Sequence, residues 1–433
     1  MTEPFKVAVA GLGTVGAGTI DLLQKQAPLV AQRAGRPITV TAISARDRKK
    51  NRPVDLSDYD WFDDAVTMAS EAEADAVVEL IGGSDGVARR VCDAALDVGR
   101  HVVTANKALI ALQGQELAAA AEANGASLAF EAAVAGGIPV IKALREGLTG
   151  NRIHRVLGIL NGTCNYILTT MRETGRSFDS VLEEAQRLGY AEADPGFDID
   201  GVDAAHKLAI LTSVAFGTQV DFESVYVEGI RHITAHDIAY AREFGYKIKL
   251  LGIAEIGETG VHQRVHPAMV PIDAPIAAVE GVFNGVETDA DFVGTTMLEG
   301  RGAGAEPTAS AVAADLIDIA AGRRPPSFGV PAAQLTRPKM IPMEEHVGCY
   351  YVRLTVMDEP GVFADLAAAL RDERISIETV VQRARSDGGN AVPVVLTTHE
   401  TREDSLRRAL RTIGDMKAVT ELPHVIRIEP YSG

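Results

Sequence analysis

A chain of 433 residues, 46% of them hydrophobic and 23% charged, is long enough for two or three packed domains and too apolar to be disordered. A formal net charge of −17 argues against nucleic acid or an anionic membrane as partner, because phosphates must be met by basic surface. The three cysteines, Cys92, Cys164 and Cys349, are odd in number and form no CxxC pair, so neither a disulfide framework nor a zinc site is expected.

The N-terminus has no signal-peptide pattern and runs straight into an apolar strand over Phe5–Ala10, which points to a reduced, cytoplasmic setting. Gly11-Leu12-Gly13-Thr14-Val15-Gly16 and a helical pattern through Gln26 follow at once. In that strand–turn–helix setting Gly11 permits the turn, Gly13 lets backbone approach a pyrophosphate and Gly16 allows close helix packing. The helix start then offers its N–H groups to the anion. The competing reading is a glycine-rich turn in some other βαβ unit.

A second strand, Ile38–Ile43, ends in Ser44-Ala45-Arg46-Asp47-Arg48-Lys49-Lys50. An NAD site places an acid at this strand end to hold the ribose 2′-OH, whereas a small residue followed by arginine suits a 2′-phosphate. Arg46 therefore favours NADP, while Asp47, one residue on, keeps NAD open. Strands at Asp75–Ile81 and His101–Val103 extend the same sheet, the second ending at Asn106 and Lys107 before an alanine-rich helix. Ligands bind beyond the carboxyl ends of such strands, so Lys107 is expected in the crevice, orienting substrate or stabilising an oxyanion. A helix-start lysine pointing into water is the alternative.

Glu131 lies inside the apolar run Leu128–Ile138, which also holds two glycines. A buried acid needs partners. A hydrogen-bonded structural glutamate is the simpler reading, and a hard-cation site shared with nearby carbonyls is the other. The longest apolar run, Ala132–Ile141, contains Gly136, Gly137 and Pro139 and is far too short to cross a bilayer. Arg155–Thr170 reads as a strand, a turn at Asn161-Gly162-Thr163 and a helix.

The chemistry concentrates in the next segment. Glu192, Asp194, Asp198, Asp200 and Asp203 fall within twelve residues, and Lys207 follows inside an apolar helical pattern. After Gly201, the positions Asp203, Lys207, Ile210 and Val214 share one helix face. An ordinary i,i+4 surface pair is the bland reading. The stripe is apolar beyond the pair, however, and a half-buried lysine facing carboxylates has the tunable pKa that proton transfer at a carbonyl needs. The acids do not match the spacing of a calcium loop.

Gly300-Arg301-Gly302-Ala303-Gly304, before Pro307 and a helix over Thr308–Ala320, either touches the cofactor or is a flexible connection. Pro325, Pro326, Pro331, Pro338 and Pro342 mark a linker. Beyond it, Tyr350–Val356, Val362–Arg371, Ile375–Gln382, Val392–Leu396, Glu403–Ile413 and Val425–Ile428 spell βαββαβ, the ferredoxin-like plan, with a turn at Asp387-Gly388-Gly389-Asn390. No catalytic constellation lies there, so regulation or assembly is expected of it.

Taken together, GLGTVG, VVELIGG, TANKALIA, EAAVAGGIP, GILNGTCNYILT, AEADPGFDIDGVDAAHKLAIL, GRGAGAEPTASAV and LTVMDEPGVFADLA resemble homoserine dehydrogenases of the long bacterial type with a C-terminal ACT domain. The resemblance implies an α/β chain in four parts. These are a Rossmann-type NAD(P)-binding domain at 1–133, completed by a return at about 305–322, an α+β catalytic and dimerisation domain at 134–304, a proline-rich linker at 323–347 and an ACT regulatory domain at 348–433. It implies NAD(P)-dependent interconversion of L-aspartate 4-semialdehyde and L-homoserine, in threonine, methionine and isoleucine synthesis.

Residue by residue, Lys207 resembles the acid/base lysine, and Lys107 the lysine between cofactor and substrate. Glu192 and Asp203, with Gly189 beside them, resemble the substrate-binding positions. Gly11 to Gly16, Arg46, Lys107 and Gly302 would hold the cofactor. Glu131, Val134, Gly136 and Ile138 resemble a monovalent-cation site, sodium being the expected ion. The ACT unit implies an amino-acid effector, threonine, near Asp358–Gly361. A homodimer or homotetramer is expected, with the linker keeping the ACT unit apart, so that a chain ending near Pro342 would keep catalysis and lose feedback. Other readings of the same residues are a non-catalytic amino-acid sensor and a different amino-acid dehydrogenase.

Overall fold

The computed structural model describes residues 3–382 and 391–430, so the expected turn at Asp387–Asn390 lies outside the described residues. Its first sheet is parallel throughout. It contains β1 (Phe5–Ala10), β2 (Ile38–Ser44), β3 (Asp60–Phe62), β4 (Ala76–Glu79), β5 (His101–Thr104) and β6 (Leu128–Ala129), in the order β3-β2-β1-β4-β5-β6. That is the doubly wound dinucleotide-binding order.

Parallel strands covered by helices on both faces must be apolar on both, and β1 is buried at five of its six positions. On one face Val7, Val9 and Val78 pack with Ile20 of the helix Thr14–Lys25 and with Val312 and Leu316 of the returning helix Ala305–Ala320. On the other, Ala8 and Val77 pack with Val91 and Leu109 from the helices Val87–Asp97 and Lys107–Ala123. The returning helix starts at Ala305, three residues before its predicted start, because Pro307 falls in the first turn, where no N–H is needed.

The second sheet is mixed. Its first part comprises β7 (Ile153–Ile159), β8 (Tyr226–Val227), β9 (Tyr246–Gly257), β10 (Gly260–Pro271), β11 (Phe283–Ala290) and β12 (Gly294–Arg301). Its C-terminal part comprises β13 (Val347–Met357), β14 (Ile377–Val381), β15 (Ala391–Thr398), β16 (Thr401–Arg402) and β17 (His424–Ile428). The main path is β12-β11-β7-β9-β10-β17-β13-β15-β14, with β16 paired to β13 and β8 to β10. Within it β17-β13-β15-β14 is the ferredoxin-like sheet, covered by the helices Val362–Asp372 and Glu403–Gly414.

The two parts are one sheet. β10 and β17 pair in parallel at Ala268–Arg427 and Met269–Ile428, and Glu429 N–H donates to Met269 O at 3.0 Å. This differs from the expectation that the linker holds the C-terminal unit apart. The prolines do not make a free tether: Thr336 bridges to Thr218 and Met340 to Val261. Buried charges seal the seam. Arg427 pairs with Glu403 at 2.6 Å and with Glu228 at 2.7 Å, Arg353 with Asp237 at 2.6 Å, and Arg264 with Glu255 at 2.7 Å and Glu429 at 3.2 Å. No described helix is long and apolar enough to cross a membrane.

Candidate active site

The site forms where the helix Val202–Phe216 passes between the sheet strands β7, β9 and β10 and the helix Lys107–Ala123 of the nucleotide-binding unit. Gly201, at φ +88°, turns the chain into the helix, and every residue from Asp203 to Val214 is buried. The expected single apolar stripe is therefore an all-round buried helix, packed on two sides. Lys207 is correspondingly deeper than half-buried, at 8% exposure.

An ammonium so placed must be paired. Lys207 Nζ donates to Asp203 Oδ2 and to Leu160 O, both at 2.7 Å, leaving one of its three donors without a partner among the described residues. Asp203 Oδ1 meets Lys107 Nζ at 2.5 Å, so one carboxylate bridges two lysines from two different units. Burial pushes the Asp203 carboxyl up, but the two ammoniums outweigh it and hold it below the usual carboxylate range. Burial lowers Lys207, the charge of Lys107 lowers it further, and Asp203 only partly offsets them.

Two residues given no role from sequence complete the cluster. Asn161 caps the helix Gly162–Thr174, its Oδ1 accepting Cys164 N–H at 2.8 Å. That fixes the amide orientation and turns Nδ2 toward carboxylates, and it donates to Asp203 Oδ2 and Asp198 Oδ1, both at 2.8 Å. Burial raises the Asp198 carboxyl, with the Asn161 bond opposing and Asp203 reinforcing. The cap signature at Asn161-Gly162-Thr163 was the available signal for Asn161.

Lys107 is held by its own shell. Asn106 caps the helix through Leu109 N–H at 3.1 Å and donates to Gly83 O at 2.5 Å. The Asn106 N–H is held by Thr104 Oγ1, which donates to Glu79 Oε2 at 2.6 Å. Glu79, fully buried, also accepts the Ile81 N–H at 2.7 Å. The ends of β4 and β5 are thus tied together beneath Lys107.

The glycine-rich turn has the expected shape. A Cβ on Gly11 would lie 2.5 Å from Leu80 O, and one on Gly16 would lie 1.9 Å from Gly11 O. At Gly13 no atom lies within 4 Å of that position, so the turn is open there, between Leu12, which is buried, and the helix start at Thr14 and Val15. A cleft of about 620 Å³ adjoins it, bounded by Gly13, Thr14, Lys50, Arg52, Ala305 and Glu306. Arg46 is exposed at the end of β2. Arg52, unassigned from sequence, ties that basic loop to the turn by donating to Leu12 O at 3.0 Å and Asp47 O at 2.7 Å. Gly302 is buried where Asn284 leaves no room for a Cβ, and its carbonyl abuts Gly136.

Not every expected residue joins the cluster. Glu192 and Gly189 lie exposed on the loop after the helix Phe178–Arg187, and the Glu192 carboxylate makes no hydrogen bond among the described residues. Both Glu131 oxygens accept backbone N–H groups, from Ile141 at 2.9 Å and Lys142 at 2.8 Å. Burial and the nearby Asp315 charge push the Glu131 carboxyl up to about 7. Its side chain is thus a hydrogen-bonded structural glutamate. In the same loop, with Ala135 at φ +53° and Gly136 at φ +34°, the buried carbonyls of Val134 and Gly136 accept no hydrogen bond among the described residues. No group of three His, Cys, Asp or Glu side chains arranged for a metal occurs among the described residues.

Comparison with known proteins gives a consistent answer along the whole chain. Residues 139–317 match the family described as homoserine dehydrogenase, 11–131 the homoserine dehydrogenase NAD-binding domain, and 350–415 the ACT domain. A homoserine dehydrogenase from Pseudomonas aeruginosa is 46% identical over 433 residues, covering 99% of each chain. The crystal structure of a homoserine dehydrogenase from Thiobacillus denitrificans superposes with a TM-score of 0.93 at 46% identity, over 99% of this chain and 98% of that one. A hyperthermophilic archaeal homoserine dehydrogenase, solved in complex with NADPH, superposes with a TM-score of 0.65 at 29% identity, over 75% of this chain and 100% of its own.

Proposed function

The chain belongs to the homoserine dehydrogenase family of NAD(P)-dependent oxidoreductases, and on that premise we propose how its residues interconvert L-aspartate 4-semialdehyde and L-homoserine. The observation that carries the reading is the bridging of Lys107 and Lys207 by Asp203.

The nicotinamide cofactor supplies the hydride for reduction and accepts it in oxidation. Gly11 to Gly16 and the start of the helix Thr14–Lys25 would hold its pyrophosphate, which the open side of Gly13 supports. In reduction, Lys207 gives a proton to the aldehyde oxygen as negative charge develops there, and in oxidation it takes the hydroxyl proton back. Asp203 keeps Lys207 oriented, and Lys107 adds a second positive charge beside the reacting oxygen. Glu192, with Gly189, would take the substrate's ammonium end from the exposed loop after the helix Phe178–Arg187.

We assign NADP as the preferred cofactor, because Arg46 and the basic loop braced by Arg52 suit a 2′-phosphate. A monovalent cation, sodium, fits the unpaired carbonyls of Val134 and Gly136 together with Ile138, while Glu131, its carboxylate tied to the Ile141 and Lys142 N–H groups, would hold the loop around the ion. Neutral carbonyls suit a single positive charge. The ACT unit takes an amino-acid effector, threonine in our reading, near Asp358–Gly361, and the enzyme works in the cytoplasm as a homodimer or homotetramer. The decisive assay follows NADPH absorbance with aspartate semialdehyde and a panel of other amino-acid aldehydes. Turnover confined to another aldehyde, or none at saturating substrate, would overturn the assignment.

A further inference from the structure

Beside the lysine pair stands an aromatic stack that the chemistry above does not use. Phe197, in the short helix Gly196–Ile199, places its ring centroid 5.4 Å from Lys107 Nζ. The same ring lies against His206 at 5.6 Å, and His206 stacks on Phe222 at 4.2 Å with planes 26° apart. His206 is 5% exposed, whereas Phe197 is 45% exposed, so the stack is anchored in the interior and its outermost ring borders solvent.

We propose that Phe197 is a positioning residue for Lys107: its π face and Asp203 hold the ammonium between them. This rests on the reading that Lys107 belongs to the reacting site.

The geometry supports it from several sides. Asp203 is buried while the Lys107 side chain is 33% exposed, so the pair is open to water on the lysine side alone. A flexible four-carbon side chain there has many rotamers of similar energy, and an ion pair with one wet end is weak. An aromatic face on the ammonium narrows that freedom through quadrupole attraction and removes water that would screen Asp203. Phe197 is itself placed by its neighbours. Asp198, next in the chain, accepts from Asn161 Nδ2 at 2.8 Å, and Asp200 pairs with Arg231. Burial lowers His206, and Lys107 adds to that while Asp203 opposes, so a neutral imidazole backs the ring. A lone exposed phenylalanine would need no explanation. A phenylalanine tilted against a buried histidine beside a cation does.

The test compares Phe197→Ala, Phe197→Leu and Phe197→Trp in the full-length enzyme, with thermal midpoint and NADPH affinity by fluorescence as controls. We expect kcat for aspartate semialdehyde reduction to fall about three- to tenfold in Ala and in Leu. NADPH affinity should stay unchanged, and Trp should recover at least about half of the wild-type value, since it keeps a π face. Leu matching wild type would overturn the proposal, because apolar bulk alone would then suffice. Ala matching wild type would overturn it as well. Lys107→Ala, run alongside, separates the two levels. If it too is silent, the role of Lys107 fails; if it is crippled while the Phe197 variants are not, only the present inference fails.

Discussion

Lys107 and Asp203 meet at 2.5 Å across the junction of two units, the lysine opening a helix of the nucleotide-binding unit and the aspartate opening the buried helix of the other. The second oxygen of the same carboxylate holds Lys207. Two ammoniums from different units therefore converge on one anion, and the Lys207 amine is lowered by burial and by the charge of Lys107, with Asp203 opposing both.

The first prediction concerns pH. Lys207 is held below the ordinary lysine value of 10.5, so the neutral amine needed to take the homoserine proton is populated at lower pH than in a free lysine. Homoserine oxidation should rise with pH and level off below 10.5, and aldehyde reduction, which needs the protonated amine, should fall across the same interval. Lys107→Ala removes a charge that lowers Lys207, so both limbs should move to higher pH. Rate profiles in the two directions check this. Limbs that stay put in the Lys107→Ala variant would show that the two lysines are not coupled.

Glu192→Ala should raise the homoserine KM by about tenfold or more with a smaller change in kcat, because it removes a charge-assisted contact made equally in ground and transition states. The exposed position of Glu192 makes this a demanding test. An unchanged KM would leave the loop outside the site.

Arg46→Asp should reverse or flatten the preference for NADP, read as the ratio of kcat/KM with the two cofactors. Arg52→Ala should weaken both cofactors together, since Arg52 braces the loop against Leu12 rather than standing free. A ratio untouched by Arg46→Asp would place 2′-phosphate recognition elsewhere in the basic loop.

The continuous sheet changes what truncation should do. A chain ending near Pro342 would uncover β10 at Ala268 and Met269, deprive Arg264 of Glu429 and leave Asp237 without Arg353. Removing one partner of a buried pair costs about 3–5 kcal/mol. We therefore expect the truncated chain to melt at markedly lower temperature or to aggregate through the bared strand edge. A truncated enzyme as stable and active as the full chain would contradict this. Threonine regulation is better tested in the full chain, where substitutions in the Asp358–Gly361 turn should remove inhibition.

How far the sequence could carry this account follows from particular residues. The central parallel strands were legible because Phe5–Ala10 and Ala76–Glu79 are largely apolar and lead into glycine-rich turns. β3 and β6 were not: β3 is three residues that begin with an aspartate, and β6 is two residues at the head of the apolar run Leu128–Ile138. The long hairpin of β9 and β10 is not legible in the sequence because it carries Lys249, Arg264 and His266 fully or almost fully buried, which spoils any simple apolar alternation. The seam was hidden for the same reason: Arg264 and Arg427 read as solvated charges until their carboxylate partners are placed beside them. The Asp203–Lys207 pair was legible from i,i+4 spacing, but Lys107 and Asn161 reach it only through the tertiary fold.

The central claim is that Lys207 moves the proton, and one variant tests it most directly. With Lys207→Ala, NADPH oxidation in the presence of aspartate semialdehyde should drop by about 10²–10⁴-fold, as expected for loss of a general acid, while NADPH still binds. A Lys207→Ala enzyme that binds NADPH and turns over within about threefold of wild type, far inside that range, would contradict the account.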